Sequence, residues 1–138
     1  LKLNGVSFYN DSKATNTDAV VRALESFPSN IILILGGREK QTDFSLLLAQ
    51  IKHPATTIKQ IIALGEAKEH IQEVLGGICP VLQVASMEEA VEKAYGMGCP
   101  GDVVLLSPAC ASFDMFSGYV NRGDVFCAAV ANLQEGGL

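Results

Sequence analysis

Three polar stretches of this 138-residue chain carry residue types that bind anions. They span residues 10–16, 36–42 and 107–114, and each follows a short apolar run and precedes a segment of helical periodicity. Together they hold several hydroxyl groups and three cationic side chains, Lys13, Arg38 and Lys40. The first turn of a helix adds free N–H groups and the positive end of the helix dipole. The combination favours an anionic ligand, either a carboxylate or a phosphate.

Each of these residues also has an ordinary structural explanation. Gly36-Gly37 can form a tight turn, and Asp11 can cap one. Polar residues at the start of a helix can be simple N-caps, which applies to Thr15, Asn16 and Ser112. A single loop cation is commonly a solvated charge. It is the occurrence of all these features together in three loops that favours a binding site.

Other motifs that could carry chemistry are weaker. Gly96-x-Gly98-x-x-Gly101 has the spacing of a dinucleotide-binding loop, but it precedes a predicted strand instead of following one. The two histidines lie in or beside helical segments, and the four cysteines are scattered, so no zinc-site spacing can be assembled. Cys110 lies near the polar stretches without an identifiable base to activate it. We therefore expect no metal site in this chain.

The elements that would position the polar stretches follow from an alternation of apolar runs and helical segments. This alternation predicts a mainly parallel sheet with helices on both faces. Asn4-Gly5 predicts a hairpin that adds an antiparallel edge strand, Leu1–Leu3. The fold class is therefore α/β, a Rossmann-like doubly wound sheet of about six strands. The other five predicted strands are Val6–Tyr9, Ile31–Leu35, Ile58–Leu64, Val81–Val84 and Val103–Leu106.

Ligands of such sheets bind outside the carboxyl ends of the strands, so the three polar stretches should share one edge. The connecting helices are predicted from apolar residues at helical spacing. Thr42 is the expected N-cap of the second helix, and Ser86 with Glu89 forms a capping box for the fourth. Gly118 and Gly123 are candidate breaks in the first half of the last helix, which Phe126 and the apolar residues after it mark.

Composition limits the class of protein. The length indicates a single domain. Ten basic against fifteen acidic residues give a formal charge of −5, which disfavours nucleic acids and acidic membrane surfaces as partners. No apolar run approaches the roughly 18 residues that a membrane span needs, and the first residues lack the features of a signal peptide. We expect a cytoplasmic protein, and a chain that begins on a strand is expected to come from a larger one.

The polar stretches resemble the C-terminal domain of the Mur ligases. The motifs that carry the resemblance are NDSKATN at 10–16, LGG at 35–37 with Lys40, and LLSPACASFD at 105–114, in the order and spacing of the family. Arg122-Gly123 followed by Phe126 fits the last helix of the family. The resemblance covers essentially the whole chain and favours the members that add D-glutamate. It implies that residues 1–138 are the third domain, with the UDP-binding and ATP-binding domains absent.

The resemblance also implies an activity, that of an ATP-dependent carboxylate–amine ligase in cytoplasmic peptidoglycan precursor synthesis. Such ligases use ATP and Mg²⁺ to convert a carboxylate of UDP-N-acetylmuramoyl-L-alanine into an acyl phosphate, which the amine of D-glutamate attacks. The phosphate-binding loop and the magnesium ligands belong to the absent domains. The implied partner of this chain is the central domain of the same polypeptide, and the chain alone should be inactive.

The resemblance assigns roles residue by residue. Thr15 and Lys40 would hold one carboxylate of D-glutamate, and Ser112 would hold the other together with the backbone near Phe113 and Tyr119. Asp11 would accept hydrogen bonds from the ribose of ATP, and Lys13 would be the catalytic residue near the reaction centre. Two alternatives stay open. One is a sister Mur or folylpolyglutamate ligase, and the other is a non-catalytic doubly wound binding module.

Overall fold

Six strands form one sheet in the order β1-β2-β6-β3-β4-β5. The computed structural model describes residues 1–27, 30–38, 42–52 and 58–135. Among the strands that the structure describes, the β1–β2 pair at one edge is antiparallel and the other four pairs are parallel. This arrangement confirms the predicted fold class. The strands are β1 (Lys2–Leu3), β2 (Val6–Asn10), β3 (Ile31–Gly36), β4 (Ile58–Leu64), β5 (Val81–Gln83) and β6 (Val103–Leu106).

The hairpin at the start of the chain forms as its sequence predicts. Asn4 and Gly5 both have positive φ, 49° and 85°, which is the conformation that a two-residue hairpin turn needs. The turn pairs Leu3 with Val6 across the two strands.

The sheet lies between two apolar layers because both of its faces are buried. Alternate residues of the fully buried β3 point to opposite layers: Ile32 and Ile34 to one, and Leu33 and Leu35 to the other. The first layer is covered by α4 (Met87–Met97) and α5 (Tyr119–Glu135). The second is covered by α1 (Thr17–Glu25), a 3-10 turn (Phe44–Leu47) that continues into α2 (Leu48–Lys52), and α3 (Lys68–Leu75).

The predicted capping box begins α4. The Ser86 side chain accepts a hydrogen bond from the Glu89 N–H at 3.1 Å, and the Glu89 carboxylate accepts one from the Ala85 N–H at 2.7 Å. These two bonds satisfy donors that would otherwise be free at the helix start.

Two helix predictions are wrong in detail. Asp43, not Thr42, caps the second helix, since its carboxylate accepts from the Ser45 N–H at 3.1 Å. The first turn after that cap is 3-10 and not α-helical. The last helix is not interrupted at Gly123 but runs continuously through it, and the side chain of Asn10 lies directly against this glycine. In the described part of the chain, no helix has the length and apolar character needed to cross a membrane.

Candidate functional site

The three polar stretches meet at the carboxyl ends of three adjacent strands, β2, β6 and β3. Backbone hydrogen bonds join them directly: the Ala109 N–H donates to the Ala14 carbonyl at 2.9 Å, and the Arg38 N–H donates to the Ala111 carbonyl at 2.8 Å. A further bond runs from the Gly36 N–H to the Pro108 carbonyl at 2.9 Å. The expected common edge is therefore present. We call residues 10–16, 36–38 and 107–114 the rim.

Gly36 and Gly37 permit this close approach. Both have positive φ, 126° and 153°. A Cβ atom on Gly37 would collide with the Ala111 carbonyl, and one on Gly36 would collide with the Leu64 carbonyl. The glycine pair thus allows the second stretch to lie against its neighbours, beyond forming a turn.

Asp11 lines a cavity near the rim. Its carboxylate accepts a hydrogen bond from the Ser107 hydroxyl at 2.9 Å, and its N–H donates to the Leu106 carbonyl at 2.8 Å. The cavity has a volume of about 620 Å³ and is lined on its apolar side by the rings of Tyr9 and Phe27, among others. Ser107 is fully buried, so it fixes the orientation of the Asp11 carboxylate at the mouth of this cavity.

Lys13 and Thr15 are exposed on the same stretch. Lys13 lines the cavity beside Asp11 and also a second cavity of about 220 Å³, which Tyr119 borders from the other side. The structure therefore brings Lys13 together with Asp11 on one side and with Tyr119 on the other.

Ser112, Phe113 and Tyr119 differ in exposure. Ser112 is buried, and its carbonyl accepts from the N–H of Phe116 at 3.0 Å, which begins a helical turn. The side chains of Phe113 and Tyr119 are 63% and 50% exposed. No hydrogen bond joins the side chains of Thr15 and Ser112, both of which the structure describes. Lys40 lies outside the described residues.

Arg122 is a residue of the rim region to which the sequence analysis assigned no role. Its guanidinium donates to the Ser12 hydroxyl at 2.9 Å, the Ser12 carbonyl at 2.6 Å and the Cys110 carbonyl at 2.8 Å. The side chain is only 1% exposed, and this burial lowers the pKa of Arg122 to about 10 against the opposing effects of Cys110 and Asp114. Its position four residues before the buried Phe126, on the same helical face, is the signal that could have predicted its burial.

Asp114 joins the rim to a fourth loop. One of its carboxylate oxygens accepts from the Glu66 N–H at 2.9 Å, close above Gly65, where a Cβ atom would collide with it. The other oxygen is buried and has no hydrogen-bond partner among the residues that the structure describes. The loop after β4 is thus held to the rim although its sequence is short and carries few polar groups.

Potential metal ligands are not clustered. Within residues 1–27, 30–38, 42–52 and 58–135, no group of three or more His, Cys, Asp or Glu side chains could hold a metal ion.

Several relatives of the chain share one name. This chain is 46% identical over 134 residues to the UDP-N-acetylmuramoylalanine–D-glutamate ligase of Desulfosudis oleivorans. The matched region covers 97% of this chain and 28% of that protein. The chain is 49% identical over 125 residues to the ligase of the same name from Syntrophus aciditrophicus, covering 91% and 27%. The match to the Chlamydia caviae ligase of that name is 44% over 131 residues, covering 95% and 30%. The chain thus spans less than a third of these relatives.

A solved structure and a family profile also match this chain. A domain ascribed to a UDP-N-acetylmuramate:L-alanyl-gamma-D-glutamyl-diaminopimelate ligase of Haemophilus ducreyi superposes with a TM-score of 0.59 at 14% identity, covering 92% of this chain and 94% of that one. That likeness concerns the fold alone. The profile described as "Mur ligase, glutamate ligase domain" matches residues 1–110, which include the first two polar stretches and all six strands of the sheet. The chain therefore belongs to the Mur ligase glutamate ligase domain family.

Proposed function

We propose that this chain is the amino-acid-binding C-terminal domain of an ATP-dependent ligase that joins D-glutamate to UDP-N-acetylmuramoyl-L-alanine through an acyl phosphate. The observation that carries the proposal is the shared rim, which gathers the family's three motifs in a chain 44–49% identical to ligases of that name. Because the chain spans under a third of those proteins, the remainder of the polypeptide would supply the other substrate sites.

The proposed amino-acid site binds glutamate through both of its carboxylates. Thr15 and Lys40 hold one of them, and the Ser112 hydroxyl with the backbone near Phe113 and Tyr119 holds the other. Each charge-assisted hydrogen bond to a carboxylate contributes about 1.5–3 kcal/mol, so a few of them select a dianionic amino acid. The hydrogen bond from the Phe116 N–H to the Ser112 carbonyl holds this residue in place at the rim, which supports this role.

The proposed nucleotide site lies at the other end of the rim. Asp11 accepts hydrogen bonds from the ribose hydroxyls of ATP, and its fixed carboxylate at the mouth of the 620 Å³ cavity fits that role. Lys13, between the two cavities, places a cation near the point where the nucleotide and the amino acid meet. ATP supplies the phosphoryl group that activates the substrate carboxylate. Docking of this domain on the remainder of the protein excludes water from the acyl phosphate.

The intact gene product that contains this chain provides the test, with phosphate release measured for D-glutamate and for other amino acids. We expect D-glutamate to be the preferred substrate, and the 138-residue chain alone to release none. Preference for another amino acid would identify a sister ligase, and no release with any of them would identify a binding module. Either result would refute the proposal.

Lys40→Ala tests the carboxylate role in that enzyme. Losing one charge-assisted hydrogen bond should raise KM for D-glutamate roughly 10- to 150-fold and change KM for ATP much less. Lys52→Ala is the matched control, because Lys52 is an exposed lysine at the end of α2. Equal effects of Lys40→Ala on both KM values would contradict the assignment.

A further inference from the structure

We infer that Arg122 is a positioning residue that couples the stretch 10–16, which carries Asp11 and Lys13, to the stretch 107–114, which carries Ser112. The inference rests on the proposed function for the roles of those residues, and on geometry for the coupling. Ser12, which accepts two of the three described hydrogen bonds of Arg122, lies between Asp11 and Lys13. Cys110, which accepts the third, lies two residues before Ser112.

The guanidinium is suited to this bridge because it is a planar fork with donors in fixed directions. It uses its Nε and one terminal nitrogen on Ser12 and its other terminal nitrogen on Cys110. A lysine ammonium is a single nitrogen on a flexible stem and cannot reach these acceptors in the same geometry. No carboxylate of the described residues lies within 4.0 Å of the guanidinium, so carbonyl and hydroxyl oxygens of the two stretches hold the charge.

The bridge closes on itself through the helix that carries Arg122. The Ser12 hydroxyl accepts from Arg122 and donates to the carbonyl of Tyr119 at 2.7 Å, one turn earlier in α5. The stretch 10–16 is thereby fixed to the first turn of α5, where the proposed glutamate contact of Tyr119 lies. Displacement of either stretch is transmitted to the other through buried atoms, since Ser12 and Arg122 are 4% and 1% exposed.

The kinetic test uses Arg122→Lys in the intact gene product. We expect KM for ATP and KM for D-glutamate to rise together, each by roughly 2- to 13-fold, which is the effect of losing one hydrogen bond of ordinary strength. Ser12→Ala removes only the hydroxyl that links Arg122 to Tyr119 and should shift both KM values in the same direction. It keeps the test valid where Arg122→Lys fails to fold. A rise in one KM alone would overturn the inference, as would a lower Tm with both KM values unchanged.

A second measurement on the 138-residue chain is independent of activity. The Ala109 N–H, which donates to the Ala14 carbonyl, reports directly on the contact between the two stretches. Arg122→Lys and Ser12→Ala should increase its hydrogen exchange without changing that of Leu33 in the buried β3. Arg22→Lys, at an exposed arginine paired with Asp18, is the control and should change neither.

The two measurements separate the possible failures. If the wild-type product releases no phosphate with D-glutamate, the proposed function fails, and hydrogen exchange alone then decides whether Arg122 couples the two stretches. Unchanged exchange at Ala109, or a uniform increase that includes Leu33, would overturn the coupling whatever the reaction.

Discussion

Replacing Gly123 by alanine should fail to stabilise the protein, although the residue lies inside a regular helix. Alanine in a helix interior is normally more favourable than glycine by about 0.5–1 kcal/mol. At Gly123 the added Cβ would lie 2.7 Å from the side-chain Nδ2 of Asn10 and 2.9 Å from its Oδ1. Asn10 would have to move.

The movement has an identifiable cost. The side-chain Oδ1 of Asn10 accepts a hydrogen bond from the Ser12 N–H at 3.0 Å, and its Nδ2 donates weakly to Cys127 Sγ at 3.8 Å. Losing the bond to Ser12 costs about 0.5–1.5 kcal/mol, which offsets the helix propensity gained. We therefore expect a change in the free energy of unfolding close to zero, together with displacement of the Ser12 amide.

Gly96→Ala is the matched control for this substitution. Gly96 also lies in a helix, α4, but its added Cβ would meet no heavy atom within 4 Å. It should raise the free energy of unfolding by about 0.5–1 kcal/mol, or Tm by roughly 2–4 °C. Urea denaturation of the three proteins, with the ¹⁵N shift of the Ser12 amide, makes the comparison. Equal stabilisation by the two alanines, or an unmoved Ser12 amide in Gly123→Ala, would refute the reasoning.

Two further predictions concern stability away from the rim. Burial raises the pKa of Asp102, but its bonds to Lys59 at 2.6 Å and to the Cys99 N–H, together with the charge of Lys59, leave that pKa lowered. The pair should therefore stabilise the fold above about pH 4 and lose that contribution as pH falls through the pKa of Asp102 in the folded protein. Urea midpoints measured from pH 7 to 2 should consequently fall less steeply for Asp102→Asn than for wild type. Ser86→Ala removes the cap of α4 and should cost about 1 kcal/mol by urea denaturation at pH 7, whereas Ser26→Ala, at an αR residue that ends α1, should cost much less.

Local signals in the sequence were sufficient for most of the fold. Asn4-Gly5 specified its hairpin because two consecutive positive φ values suit few other residue pairs. Ser86 and Glu89 specified the start of α4 because both partners of the capping box lie within four residues. The common rim was predicted from the parallel sheet, because the carboxyl ends of parallel strands lie at one edge. The structure adds that the three strands before the polar stretches are neighbours.

The wrong details depend on contacts that are remote in sequence or on competition between neighbours. Gly123 was a candidate helix break, yet its role is set by Asn10, more than a hundred residues earlier. Thr42 was the predicted cap, whereas the structure uses its neighbour Asp43, whose carboxylate accepts from the Ser45 N–H in the 3-10 turn. The roles of Lys40, Thr15 and Ser112 stay predictions, because they depend on a ligand and on Lys40, which lies outside the described residues.

Because burying Arg122 costs free energy, we infer that the residue positions the two polar stretches more than it stabilises the fold. Desolvation of a guanidinium costs several kcal/mol, and well-packed apolar side chains in such places are often as stable or more so. Phe126, one turn later on the same helical face, shows that this face of α5 accepts an apolar side chain. An apolar residue at 122, however, would remove the hydrogen bonds to the carbonyls of Ser12 and Cys110, and with them one of the links between the two stretches. A buried charge held by two loop carbonyls is therefore better explained by the geometry of the rim than by the stability of the core.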